Sequence, residues 1–306
     1  MKETPAYKII ITYAILCFVW GSTWLAIKAS LESFPPFLSA GLRFFIASFT
    51  IFILMRLRGT ELKTDKESFR LYIMMGFFSF VIPFGLVYWA EQYIDSGLAS
   101  VLFGVYPFFV AIFSYFMIPN EEIGIIRILG MILGFSGIAI IFHDSFSFSL
   151  SDYILGMFAI ILSAIMQAFM AVTIKKYGKY LNPLTMNLVP MIIAGIVMLF
   201  AGLLIEDFAR IKITETGVFA VLYLAIIGSV VTFTSFYWLL KKVSVIIMSL
   251  IAFITPIVAI LLGWIIYGEI LSEKHMVGTT FVLIGVLIAN LPSNSLEKIK
   301  KMAERI

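Results

Sequence analysis

The 306-residue chain is 61% hydrophobic and only 13% charged, with a formal net charge of +4. Soluble domains carry about 25% charged residues, and a chain of this size has too much surface for so few charges to cover. That excludes an ordinary soluble domain and leaves lipid to meet the excess apolar surface; the basic residues flank apolar runs and call for no nucleic acid.

Crossing about 30 Å of hydrocarbon takes roughly 20 apolar residues in a helix. Ten stretches fit: 9–28, 36–56, 71–91, 96–118, 125–143, 153–174, 183–205, 216–239, 244–267 and 276–292. The expected fold is an all-α membrane protein of ten transmembrane helices. The first run has no small-residue cleavage site at its end and reads as a retained helix rather than a signal peptide. Its Cys17 is the only cysteine, can form no internal disulfide and reads as a small packing residue. Trp20 falls roughly 18 Å beyond Lys8 at about 1.5 Å per residue, near the midplane, whereas tryptophans gather at interfaces. With Thr23 and Trp24 it forms one helical face, which either lines a cavity or packs against a helix that Gly21 lets approach. In the second run Arg43 lies roughly 10 Å deep, where an arginine costs at least about 2.5 kcal/mol unless paired or hydrated. It either holds a substrate carboxylate or snorkels and bonds to carbonyls at a neighbouring helix end.

The third run carries Pro83 and ends at Tyr88, Trp89 and Gln92, either an interfacial aromatic belt or a gate at a cavity mouth. Glu91 and Asp95 read as a solvated rim. Tyr106 and Pro107 follow in the fourth run, then Gly130, Gly137 and a terminal His143 in the fifth. Gln167 lies deep in the sixth run and Asn187 near the start of the seventh; each amide serves a zwitterionic substrate or bonds between helices. Tyr237 and Trp238 repeat, in the eighth, the aromatic pair of the third, and Pro256 interrupts the ninth. Prolines inside spans remove a backbone donor and act as static kinks or as hinges. Glu121 and Glu269 fall at helix junctions and read as loop or capping residues. The tail 293–306 places Leu296, Ile299 and Ile306 on one face with lysines elsewhere; it is a basic helix on the cytoplasmic leaflet or a frayed end.

With the N-terminus inside, inner segments hold 17 of the 22 Lys and Arg residues and outer segments only Lys28, Arg210, Lys212 and Lys274. This bias predicts cytoplasmic termini. The halves also resemble each other. Tyr88-Trp89 and Tyr237-Trp238 are 149 residues apart, as are Pro107 and Pro256; Glu121 matches Glu269, Gly130 matches Gly278 and Gly137 matches Gly285 at 148; Lys28 matches Lys175 and Pro36 matches Pro183 at 147. Residues 1–146 and 147–292 then form two five-helix repeats, followed by the tail 293–306. Five is odd, so the repeats are inverted, an architecture many secondary transporters use to give outward- and inward-open states around one site.

The stretches WGSTWLAIK (20–28) and PPFLSAGLRFFIA (35–47) resemble the opening of the EamA-like branch of the drug/metabolite transporter superfamily. The YP at 106–107 with Glu121 and the Gly130–Gly137 run, and the TP at 255–256 with GEILSEKHMVG (268–278), fit the ends of its two halves. The resemblance covers nearly the whole chain and implies ten helices in two inverted repeats, a central cavity and export of amino acids or related metabolites.

The expected function is therefore secondary transport of a small-molecule substrate across the cytoplasmic membrane, with multidrug or planar-cation efflux and metabolite uptake as alternatives. The candidate substrate-binding residues are Trp20, Thr23, Trp24, Arg43, Tyr88, Gln92, Tyr106, Gln167, Asn187, Tyr237 and Trp238. No catalytic group, metal or cofactor is expected, because an intramembrane enzyme needs paired acids or a histidine cluster at depth and His143 and His275 both lie at span ends. No Asp or Glu falls at a midplane position, and Glu91 and His143 are the only plausible titrating groups. Facilitated or loosely coupled transport is the expectation. The duplication within one chain implies that a monomer suffices.

Overall fold

The computed structural model describes residues 5–119, 121, 123–145 and 151–291, so the predicted tail helix lies outside the described residues. Among these residues there is no strand. The helices are α1 (Ala6–Leu31), α2 (Pro36–Leu57), α3 (Lys66–Ala90), α4 (Ser96–Met117), α5 (Ile125–His143), α6 (Asp152–Tyr177), α7 (Thr185–Ile205), α8 (Glu215–Leu240) and α9 (Val245–Tyr267), then α10 (Glu273–Ala289). Among the described residues, α1 to α9 are long and apolar enough to cross a membrane. The tenth expected span appears as α10, whose 17 residues reach about 25 Å at about 1.5 Å per residue. Nine helices, rather than ten, thus meet the spanning length. Large apolar side chains such as Phe18, Phe49, Phe200 and Ile265 are more than half exposed, as expected of a multi-pass protein whose outer face meets lipid.

Helix starts follow local capping chemistry. The side chains of Asp65, Ser151, Thr214, Ser244 and Ser272 accept from the backbone N–H three residues on, satisfying first-turn donors that have no intrahelical partner. The Asp65 cap explains why α3 begins before the apolar run that predicted it. Pro36 opens α2, where its missing donor costs nothing. Among the described residues, three helices contain π-helical turns, at Gly76–Val81 in α3, Ile226–Val231 in α8 and Gly263–Tyr267 in α9. α4 breaks at Gly104 and Val105, just before Tyr106-Pro107.

Contacts at the two ends of the bundle fix the alternating helix directions. At one end Lys28 of α1 meets Asp95 and Glu269, and Glu206 accepts from Phe37 and Leu38 N–H in the first turn of α2. At the other, Tyr13 donates to the Ile247 carbonyl and Lys241 to the Leu181 carbonyl. These are termed the Lys28 end and the Lys175 end. Laterally, α1 packs on α8 and α9, α6 packs on α3 and α4, α2 pairs with α7, and α5 pairs with α10. The last pair touches backbone to backbone. A Cβ on Gly278 would fall 2.7 Å from the Gly137 carbonyl oxygen, and one on Gly285 would collide with Gly130 and Gly134. Small residues permit this approach where hydrophobicity alone gives helices no reason to associate.

Candidate functional site

Seven helices surround a cavity of about 100 Å³ in the middle of the bundle. Its wall is largely aromatic: Trp20 and Trp24 of α1, Phe84 of α3, Phe103 and Tyr106 of α4, and Phe233, Phe236 and Tyr237 of α8. Thr23, Ser79, Gln167 and Thr255 are its neutral polar members, and among the described residues Arg43 is the only charged one lining it.

Each group is held by a neighbour. The Trp20 indole donates from Nε1 to Thr232 Oγ1 at 3.0 Å, and its ring packs on Phe233 and Phe236 with centroids 5.5 and 5.1 Å away. Trp24 meets Phe103 edge-on, and Phe103 stacks on Tyr106. Gln167 donates to Ser163 Oγ one turn back. Arg43 is 1% exposed. Its Nε donates to Ser229 Oγ at 2.9 Å, Nη2 to the Gly228 carbonyl at 3.2 Å and Nη1 to the Tyr88 hydroxyl at 3.5 Å. The guanidinium also lies over the Phe84 and Phe44 rings, 4.7 and 5.1 Å from their centroids. Gly228 and Ser229 belong to the π-helical turn of α8, where the irregular i→i+5 pattern leaves a carbonyl open to an outside donor. Arg43 therefore neither snorkels nor uses a helix end; it bonds to the interior of a widened helix.

The Lys28 end is closed by a cluster that sequence spacing did not join. Lys28 Nζ lies 2.6 Å from Glu269 Oε1 and 3.1 Å from Asp95 Oδ1. The Glu269 carboxylate also accepts from Ser96 N–H at 3.2 Å, Gly97 N–H at 3.1 Å and Ser96 Oγ at 2.8 Å, so it caps α4 as the junction reading expected. Gly268, at φ 64°, makes the tight turn that brings Glu269 back over the bundle. Burial alone would raise the Glu269 carboxyl, but the Lys28 ammonium and the Gly97 and Ser96 donors hold it below the usual carboxylate range. At the other end the repeat mates differ. Lys175 makes no ion pair with Glu121; its Nζ donates to the carbonyls of Leu240 and Val243.

Of the eleven sequence candidates, Trp20, Thr23, Trp24, Arg43, Tyr106, Gln167 and Tyr237 line the cavity. Tyr88 is fully buried and stands behind Arg43. Asn187 is buried outside the wall and donates to the Pro183 carbonyl. Gln92 is exposed, bonded to the Trp89 carbonyl. Trp238 lines a separate crevice of about 550 Å³ at the Lys175 end, with Tyr7, Lys8, Arg58 and Asn182. Two expectations need correction. Tyr88 and Tyr237 are buried in the bundle rather than placed in interfacial belts, and Glu91, expected to be solvated, is 4% exposed. The lining residues that sequence reasoning missed include Phe233, Phe236 and Phe84; the four-residue spacing of Phe233 and Tyr237 marks one helical face and was the available signal.

The EamA-like transporter family matches this chain twice, over residues 7–143 and 154–291. The uncharacterized transporter YoaV of Bacillus subtilis is 24% identical over 92% of this chain and 96% of its own length. Protein PagO of Salmonella typhimurium is 27% identical over 94% and 96%. The uncharacterized inner membrane transporter YedA of Escherichia coli is 28% identical over 90% and 88%. One solved crystal structure shares the fold with a TM-score of 0.72 at 16% identity, over 96% of this chain and 100% of that one.

Proposed function

Since this chain belongs to the EamA-like transporter family, we propose that it exports small metabolites, amino acids or their derivatives, across the cytoplasmic membrane by alternating access. The observation that carries this reading is the central cavity, aromatic-walled with Arg43 as its one charged group. Arginine matches a carboxylate in charge and fork geometry, and the rings offer stacking surface to an apolar or planar side chain. The aromatic wall also suits a planar cation, but among the described residues no acid lines the cavity to balance one, so efflux of cations ranks second.

Ten crossings in two inverted repeats are part of the proposal. Exchanging the halves maps the packing of α1 on α8 and α9 onto that of α6 on α3 and α4, and leaves the α2–α7 and α5–α10 pairs unchanged. The π-helical turns fall at the same place in α3 and α8. The two ends nevertheless differ: Lys28 is latched to Glu269, whereas Lys175 and Glu121 are apart. An ion pair at one mouth that its mirror image lacks fits two halves caught in different states, as alternating access uses them. We place both termini in the cytoplasm and the Lys28 end outside, on the bias of basic residues.

Release of preloaded radiolabelled amino acids from proteoliposomes tests this, wild type beside Trp20→Ala. Release of a subset of amino acids that the variant slows is expected. No release of any amino acid by correctly folded, oriented protein would overturn the substrate class.

A further inference from the structure

One buried group is used by neither the cavity nor the latch. Glu91, immediately after α3, is 4% exposed, and both its carboxylate oxygens lack a hydrogen-bond donor. Three charged groups act on it from other elements: Lys28 of α1, Arg43 of α2 and Glu269 from the α9–α10 link. Tyr88 lies three residues before it in α3 and feels its charge, α6 turns Gly156 to the backbone beside it at Ala90, and Asp95 completes the cluster by its bond to Lys28. Both cations are already engaged. Arg43 holds the α8 turn and Lys28 holds Glu269 and Asp95.

A carboxylate removed from water and from donors is far costlier than its neutral acid. Ionised, Glu91 would be a third carboxylate beside a single lysine. Lys28 and Arg43 are the cations placed to meet its charge; Arg43 is fixed to α8 through Nε and Nη2, and Lys28 is the more exposed and less constrained of the two. We propose that Glu91 is a proton-binding site that governs the Lys28 end. Protonated, it leaves the Lys28–Glu269 latch intact; ionised, it draws Lys28 away and opens that mouth of the cavity. The step moves one proton between the Glu91 carboxyl and water on that side. It makes the carrier sensitive to pH at one face without a midplane carboxylate, and it rests on the transport reading above.

The test is the rate at which a membrane-impermeant maleimide, added at the Lys28 side of proteoliposomes, labels Ile27→Cys in a Cys17→Ser background. Ile27 is buried and lines the cavity. Lys212→Cys, on the exposed surface of the same end, corrects for the reagent's own pH dependence. The corrected rate is expected to rise with pH by up to about tenfold per unit across the titration. Glu91→Gln should hold it low at every pH, and Glu269→Gln should hold it high. A flat profile in the protein that keeps Glu91, or a Glu91→Gln variant that follows the unmodified profile, overturns the proposal. The first of these outcomes needs no substitution at Glu91 and so stands even if the Gln variant fails to fold. Labelling needs no substrate: absent amino-acid release with a pH-dependent profile sinks only the cargo, and normal release with a flat profile sinks only Glu91.

Discussion

Replacing Arg43 separates a carboxylate-bearing cargo from a cationic one. In the structure Nε and Nη2 are well bonded to Ser229 and Gly228, whereas the Nη1 contact to Tyr88 is long at 3.5 Å. Nη1 is thus the donor with most to gain from a substrate carboxylate. One charge-assisted hydrogen bond contributes roughly 1.5–3 kcal/mol, which at about 1.4 kcal/mol per tenfold predicts a roughly 10- to 150-fold rise in half-saturation for Arg43→Met. An amino acid and its decarboxylated amine, compared in the same proteoliposomes, provide the assay. Only the amino acid should lose affinity, and Arg43→Lys should fall between, keeping the charge but not the fork. Stability needs a separate check, yet the α8 turn is not orphaned: Thr232 Oγ1 still donates to the Gly228 carbonyl, and Ser229 Oγ still donates to Leu224. The destabilisation should therefore stay near the low end of roughly 1–3 kcal/mol for unsatisfied buried groups. Equal weakening of acid and amine, or of neither, would refute the role of Arg43.

Two further outcomes follow from the packing and the latch. Glu269 is held below its ordinary value of 4.5 in the folded protein, and a depressed folded carboxylate contributes stability above its unfolded value that is lost as pH falls through the folded one. In a Glu91→Gln background, where the latch stays closed, the difference in thermal midpoint between proteins with Glu269 and with Glu269→Gln should be constant at neutral pH and shrink as pH falls below that ordinary value; a difference that grows on acidification would contradict the Lys28 pairing. Gly285→Val places a side chain against Gly130 and Gly134 of α5 and should destabilise by roughly 1–3 kcal/mol, read as a lower unfolding midpoint in detergent. An unchanged midpoint would mean that α5 and α10 do not meet there.

Much of the bundle was legible because its causes are local. A run of apolar residues bounded by caps specifies a helix wherever it lies, and a tryptophan far from both interfaces must find a neighbour inside, as Trp20 does against Thr232 and α8. Arg43 was recognisable by cost alone: a cation at that depth needs partners. Which partners it finds was not recognisable, because the carbonyl it uses is freed by a π-helical turn in α8, 185 residues away. Nothing in the apolar string IIGSVV announces a turn of that kind.

The latch shows a different limit. Lys28 and Glu269 are 241 residues apart, and each was visible separately as one member of a repeat pair, Lys28 with Lys175 and Glu121 with Glu269. Joining them required knowing that α1 lies against α9, a consequence of packing rather than of periodicity. The same ignorance produced the error at Glu91. A glutamate following Tyr88-Trp89-Ala90 at a helix end looks like an interfacial residue in water, and it would be one on an isolated helix. It is buried because α3 packs on α6 there, with Gly156 against Ala90, and because the link carrying Glu269 folds back over the same end. The desolvation that makes Glu91 a candidate switch is imposed by a helix and a link that lie far from it in the chain.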